Sequence, residues 1–125
     1  MMKYKLIIPL KNFPSINHTY QIGYSPETGK PKLYKTSEAK IFQEWAFYCA
    51  FSQLGKIMPS SKKIEMKFNF YFPTRKSDLS NYIKLIEDAF QGYFYLNDNQ
   101  IVKEVLMKNL DKKNPRVEIE VLENE

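Results

Sequence analysis

The chain has 125 residues, enough for one compact domain spanning 1–125 and too few for two. A domain of that size folds without a metal or disulfide staple. Hydrophobic residues at 43% and charged residues at 26% exclude a disordered composition, and a single cysteine, Cys49, excludes a disulfide framework and fits a reducing cytosol. Nineteen Lys+Arg against fourteen Asp+Glu leave a charge of +5, which suits a polyanionic partner.

The N-terminal apolar run Leu6-Ile7-Ile8-Pro9-Leu10 is too short for a signal peptide. No stretch approaches the roughly 20 apolar residues that cross a bilayer. The expectation is a cytoplasmic protein without membrane contact. Residues 3–10 read as a first strand. Residues 11–36 are polar, basic and aromatic, with Lys11, His18, Tyr20, Tyr24, Lys30, Lys32, Tyr34 and Lys35. Within them Ser25-Pro26-Glu27-Thr28-Gly29-Lys30-Pro31 has the composition of a hairpin tip or loop. Ser37 is placed to cap a helix over 38–54 that Gly55 stops. Its stripe Ile41, Phe42, Trp45, Ala46 and Cys49 is expected to face the core, with Cys49 packed rather than reactive.

Residues 64–72 alternate, with Ile64, Met66, Phe68, Phe70 and Phe72 on one side and Glu65, Lys67, Asn69 and Tyr71 on the other, which is a half-buried strand. Residues 116–122 repeat that pattern through Val117, Ile119 and Val121. Residues 101–108 fit helix and strand about equally. Strand is preferred because Asp111-Lys112-Lys113-Asn114-Pro115 then serves as a hairpin loop to the last strand. The sum is an α+β domain with a mixed sheet and two main helices.

A helical wheel over 78–90, at about 100° per residue, gathers Leu79, Tyr82, Ile83, Ile86, Ala89 and Phe90 into a core face. Asn81, Lys84 and Asp88 form a polar row beside it, with Asp78 at its edge, while Ser80 and Glu87 point away. Two readings compete. In the plainer one Asp78 or Ser77 is a cap and Lys84–Asp88 is a surface pair worth a few tenths of a kcal/mol. In the other the row lines a cleft. The turn Asn97-Asp98-Asn99 has the same ambiguity: ordinary turn chemistry, or a carboxylate that reaches Asp78 to form a hard oxygen site suited to Mg²⁺. One histidine and one cysteine leave too few ligands for zinc.

Three stretches together resemble the RusA family of Holliday junction resolvases. Phe13-Pro14-Ser15-Ile16-Asn17 resembles the family's P-x-x-N turn. Asp78-Leu79-Ser80-Asn81 followed by Lys84 and Asp88-Ala89 resembles its D-x-D-N-x-x-K-x-x-x-D-A helix start, and Asn97-Asp98-Asn99-Gln100-Ile101 its D-D-x-Q-[IV] turn. Ser80 and Asn97 stand where the family usually carries acids. The resemblance implies a RusA-like fold and a homodimer that nicks branched DNA, the four-way junction, symmetrically in recombination and repair. It implies Asp78 and Asp98 as ligands of Mg²⁺, with Mn²⁺ a substitute, and Lys84 as the catalytic lysine. Lys11, Asn17, Lys30, Lys32, Lys35, Arg75, Lys76 and Asn81 are the expected DNA contacts, and the source is bacterial or a prophage. Two alternatives stay open: a relative that grips branched DNA without efficient cleavage, and a small structural or regulatory protein.

Overall fold

The phenylalanine-rich alternation forms the centre of the molecule. The computed structural model describes residues 2–13, 16 and 20–124. In chain order the elements are β1 (Lys3–Pro9), β2 (Tyr20–Tyr24), β3 (Pro31–Lys35), α1 (Ser37–Leu54), β4 (Lys63–Phe72), α2 (Leu79–Phe90), a 3₁₀ turn (Asp98–Gln100), β5 (Ile101–Leu110) and β6 (Arg116–Asn124). The main sheet runs β1-β6-β4-β5. Its β1–β6 and β6–β4 pairs are antiparallel and its β4–β5 pair is parallel. The expected α+β class, mixed sheet and two helices are all present.

On the covered face, Ile64, Met66, Phe68, Phe70 and Phe72 lie beside Val117, Ile119 and Val121 and beside Leu6 and Ile8, all buried. Both helices pack there. Tyr82 of α2 meets the rings of Phe70, Phe72 and Phe42 of α1. Truncating one such phenylalanine to alanine costs about 3–5 kcal/mol, so this layer fixes the frame on which α2 is held.

The hairpin expected between 101–108 and the last strand does not form. β5 and β6 lie on opposite sides of β4. Residues 111–115 pass over the end of β4, where Asp111 N donates to Phe72 O at 2.8 Å and Arg116 pairs with Asp111 at 3.1 Å. The cause is burial. Pairing Met66 with Val121, Phe68 with Ile119 and Phe70 with Val117 joins the two cleanly alternating strands in one apolar layer. β5 has no clean alternation and takes the edge, leaving Val102, Leu106, Met107 and Leu110 partly in water. α2 is the crossover that a parallel β4–β5 pair requires.

Two details of α1 also differ. Thr36, not Ser37, is the cap, its Oγ1 accepting from Ala39 N at 3.2 Å. Ile41 is 56% exposed, while Ala39, Phe42, Ala46, Cys49 and Ala50 form the buried stripe. α1 is apolar on most of its circumference, so its sequence marks no single face. Trp45 sits half-buried, its Nε1 donating to Pro9 O at 2.8 Å. Cys49 is packed as expected, and burial pushes its thiol up to about 11. Among the described residues no helix is long and apolar enough to cross a membrane.

Candidate active site

The site starts where β4 ends. The loop 73–77 leads into α2, and Lys108 on β5 holds it by donating to the carbonyls of Arg75 (3.0 Å) and Ser77. Asp78 caps α2, its Oδ1 accepting from Ser80 Oγ at 2.7 Å and Ser80 N at 3.0 Å. These two bonds, side chain first, and the nearby Lys108 charge hold the Asp78 carboxyl below its ordinary range. The wheel turned Ser80 away from the polar row, yet the bent-back geometry of a cap brings its hydroxyl onto Asp78. One step on, Asn81 Nδ2 donates to Ile16 O and Tyr82 Oη to Phe13 O, both at 2.7 Å. These bonds hold Phe13 and Ile16 against α2.

Lys84 is the hub. Its Nζ lies 2.8 Å from Asp98 Oδ2 and 3.1 Å from Asp88 Oδ1. Asp98 reaches it because Gln100 anchors the 3₁₀ turn. Gln100 Oε1 accepts from Leu96 N (2.9 Å) and Asn97 N (2.8 Å), and its Nε2 donates to Ser60 O and Lys62 O at 2.8 Å each. Asn97 serves as the turn's cap, accepting from Asn99 N at 3.0 Å. Asp88 is in turn 3.4 Å from Lys35 of β3, which also donates to Gln43 Oε1 at 2.9 Å. Charges thus alternate along Lys35, Asp88, Lys84 and Asp98. The Asp98 bond first, then Asp88, holds the Lys84 ammonium well above the ordinary lysine range. Lys84 is half in water, where such pairs contribute at most about 1 kcal/mol to stability. Its value lies in position.

The face of α2 turned toward β5 carries Glu87, whose carboxyl shares a hydrogen bond with Glu104. Burial first, and Glu104 next, push Glu87 up to about 8 from an ordinary 4.5. Between those values the folded protein keeps a proton that the unfolded chain has released, so stability falls as pH rises through that window. Glu87→Gln removes this titration with little change of shape. The variant's melting temperature is expected to drop less than the wild type's between about pH 5 and about pH 9. Parallel pH profiles would show that the two carboxyls share no proton.

The expected DNA-contacting residues divide into groups. Lys11, Arg75 and Lys76 are exposed, the latter two on the loop entering α2, and Lys30 and Lys32 are exposed at the β2–β3 hairpin. Lys35 and Asn81 are engaged within the chain, as described. Asn17 lies outside the described residues, as do Pro14 and Ser15 of the same turn. The contact that Asp98 makes is with Lys84, and among the described residues no three His, Cys, Asp or Glu side chains gather into a metal-holding group. Sequence reasoning missed Lys108 and the scaffold role of Gln100. For Gln100 the motif letter was the signal; for Lys108 none existed, because β5 has no clean period.

A family model described as Endodeoxyribonuclease RusA matches residues 12–122. The chain belongs to the RusA endodeoxyribonuclease family. No curated protein matches it. RusA membership implies an endonuclease of the Holliday junction resolvase kind, acting on branched DNA, and RusA resolvases generally depend on a divalent metal. The residues present fit such an ion in kind. Asp78 and Asp98 are hard oxygen donors, and an ion of the magnesium type is commonly held by one or two carboxylates with substrate phosphate and water completing its shell. A caged structural metal would need more ligands than gather here among the described residues.

Proposed function

We propose that the chain is a Mg²⁺-dependent, structure-selective endonuclease, with Mn²⁺ as a substitute, that resolves four-way junctions by paired symmetric nicks. The observation that carries this reading is Lys84 held 2.8 Å from Asp98 on the helix that Asp78 caps. Asp78 and Asp98 would hold the ion, which when bound polarises a phosphoryl oxygen and activates water. Lys84, kept cationic by its two carboxylates, faces the charge that develops on the phosphate and the leaving oxygen. Lys108 fixes the loop that presents Asp78. Arg75, Lys76, Lys11, Lys30 and Lys32, with Asn17 and Asn81 by their motifs, grip the DNA backbone in a salt-sensitive way. A homodimer offers two such sites to a nearly two-fold junction, and the setting is the cytoplasm of a bacterium or its prophage. In this reading residues 1–125 form a single RusA-like endonuclease domain.

One observation favours a second reading, a branched-DNA binder that cuts poorly. Ser80 Oγ already bonds Asp78, and Lys84 already bonds Asp98, so both carboxylates have partners without a metal. Incubating a synthetic four-way junction with Mg²⁺ or Mn²⁺, beside a binding titration in EDTA, separates the two. Paired nicks at symmetric positions are expected. Tight junction binding with no nicks under either metal would favour the binder. Equal affinity for a junction and a linear duplex would overturn both.

A further inference from the structure

The β2–β3 hairpin has a face that neither the core nor the metal-and-lysine site uses. Cross-strand pairing sets Tyr20 opposite Lys35, Ile22 opposite Leu33 and Tyr24 opposite Pro31. Side chains of such pairs share a face. Ile22 is 74%, Tyr24 72% and Leu33 60% exposed. The other face is filled locally. The Tyr34 ring lies over Gly23, where an added Cβ would meet it at 3.1 Å, and the Lys32 ammonium lies 5.3 Å from the Tyr34 ring centre. Among the described residues the two strands pack chiefly on each other. A lone two-stranded hairpin is marginally stable in water, and here it also holds isoleucine, leucine and tyrosine against solvent.

Charge and position identify the occupant. From Tyr20 to Thr36 the chain carries Lys30, Lys32 and Lys35 against the single acid Glu27. The tip is closed on itself, Ser25 N donating to Lys30 O at 2.9 Å and Gly29 N to Ser25 O at 2.8 Å, which keeps Lys30 at the end of the hairpin. Lys35 lies on that same face, and its ammonium reaches Asp88, the residue that holds Lys84. The exposed apolar strip therefore leads toward the candidate active site, with Lys35 on its own face and the exposed Lys30 and Lys32 carried by the same hairpin. Apolar and aromatic side chains flanked by lysines match bases that have left the stack while their phosphates remain charged. A fully paired duplex offers no such bases; a branch point does.

We propose that the face formed by Ile22, Leu33 and Tyr24 is a platform for unstacked bases at the DNA branch point and supplies the preference for a junction over a duplex. The proposal rests on the nuclease reading above but concerns selectivity, not chemistry. Its test is a binding titration of Ile22→Thr/Leu33→Thr in EDTA, on a four-way junction and on a linear duplex of equal length at matched salt. Threonine keeps the strand preference while removing the apolar surface. The expected result is about a tenfold weaker junction complex, the scale of one stacked base, with duplex affinity unchanged.

Equal weakening on both DNAs, or no weakening on either, overturns the proposal. So does a double variant that turns from dimer to monomer in sedimentation, which would assign the face to a second copy. If the double variant loses its fold by circular dichroism, Tyr24→Thr carries the same test with the same expected selective loss. A wild type without junction preference defeats the nuclease-on-branched-DNA reading itself. A wild type that prefers the junction, beside variants that prefer it equally, defeats the platform alone.

Discussion

Asp78→Asn and Asp98→Asn are each expected to slow metal-dependent junction cleavage by roughly a hundredfold or more, the scale of lost metal-assisted charge stabilisation, while junction affinity in EDTA survives. The Asp78 variant is a clean discriminator because asparagine caps a helix about as well as aspartate does. It can keep the bonds from Ser80 N and Oγ and removes only the negative charge. If Asp78 were merely a cap, cleavage would be unchanged. At Asp98 the amide leaves the turn's anchor through Gln100 in place and withdraws the charge that Lys84 and an ion would share. Single-turnover rates over a Mg²⁺ titration report both variants. Full activity in either removes that residue from the site.

Much of the frame was legible because it rests on local patterns. The alternation from Ile64 to Phe72 needs only a period of two, and it became the central strand. The strand–helix–strand order around α2 also contained the parallel β4–β5 pair. The turn residues Asp111–Pro115 argued locally for a hairpin, however, and local turn chemistry cannot report that β4 and β6 gain more by burying their matched faces together. Ile41 of α1 departs from the expected core stripe because a helix apolar on most sides shows no preferred face.

The site divides along the same line. Asp78 as a cap is a first-turn property, readable from position. The Lys84–Asp98 contact bridges 14 residues, and Lys108 reaches Arg75 across 33. Both depend on how β5 docks beside β4, which no periodicity encodes. Ser80 shows the limit of the wheel, which assumes full helical geometry where the chain is still entering the helix.

Lys84→Ala is expected to slow single-turnover cleavage by about 10²–10³, the range for removing one preorganised electrostatic group, with junction affinity within a few-fold of wild type. A group that acts on transition-state charge contributes little to ground-state binding. A metal readout separates this role from a structural one. Lys84 and a divalent ion compete for the Asp98 carboxylate, so calorimetric Mg²⁺ or Mn²⁺ affinity should rise in Lys84→Ala while the rate falls. A helix-surface lysine that only paired with Asp88 at i+4 would move neither quantity beyond the few tenths of a kcal/mol such a pair provides. Unchanged rate and unchanged metal affinity would return Lys84 to that role. A fall in both would make it a scaffold for Asp98 rather than a group acting on the phosphate.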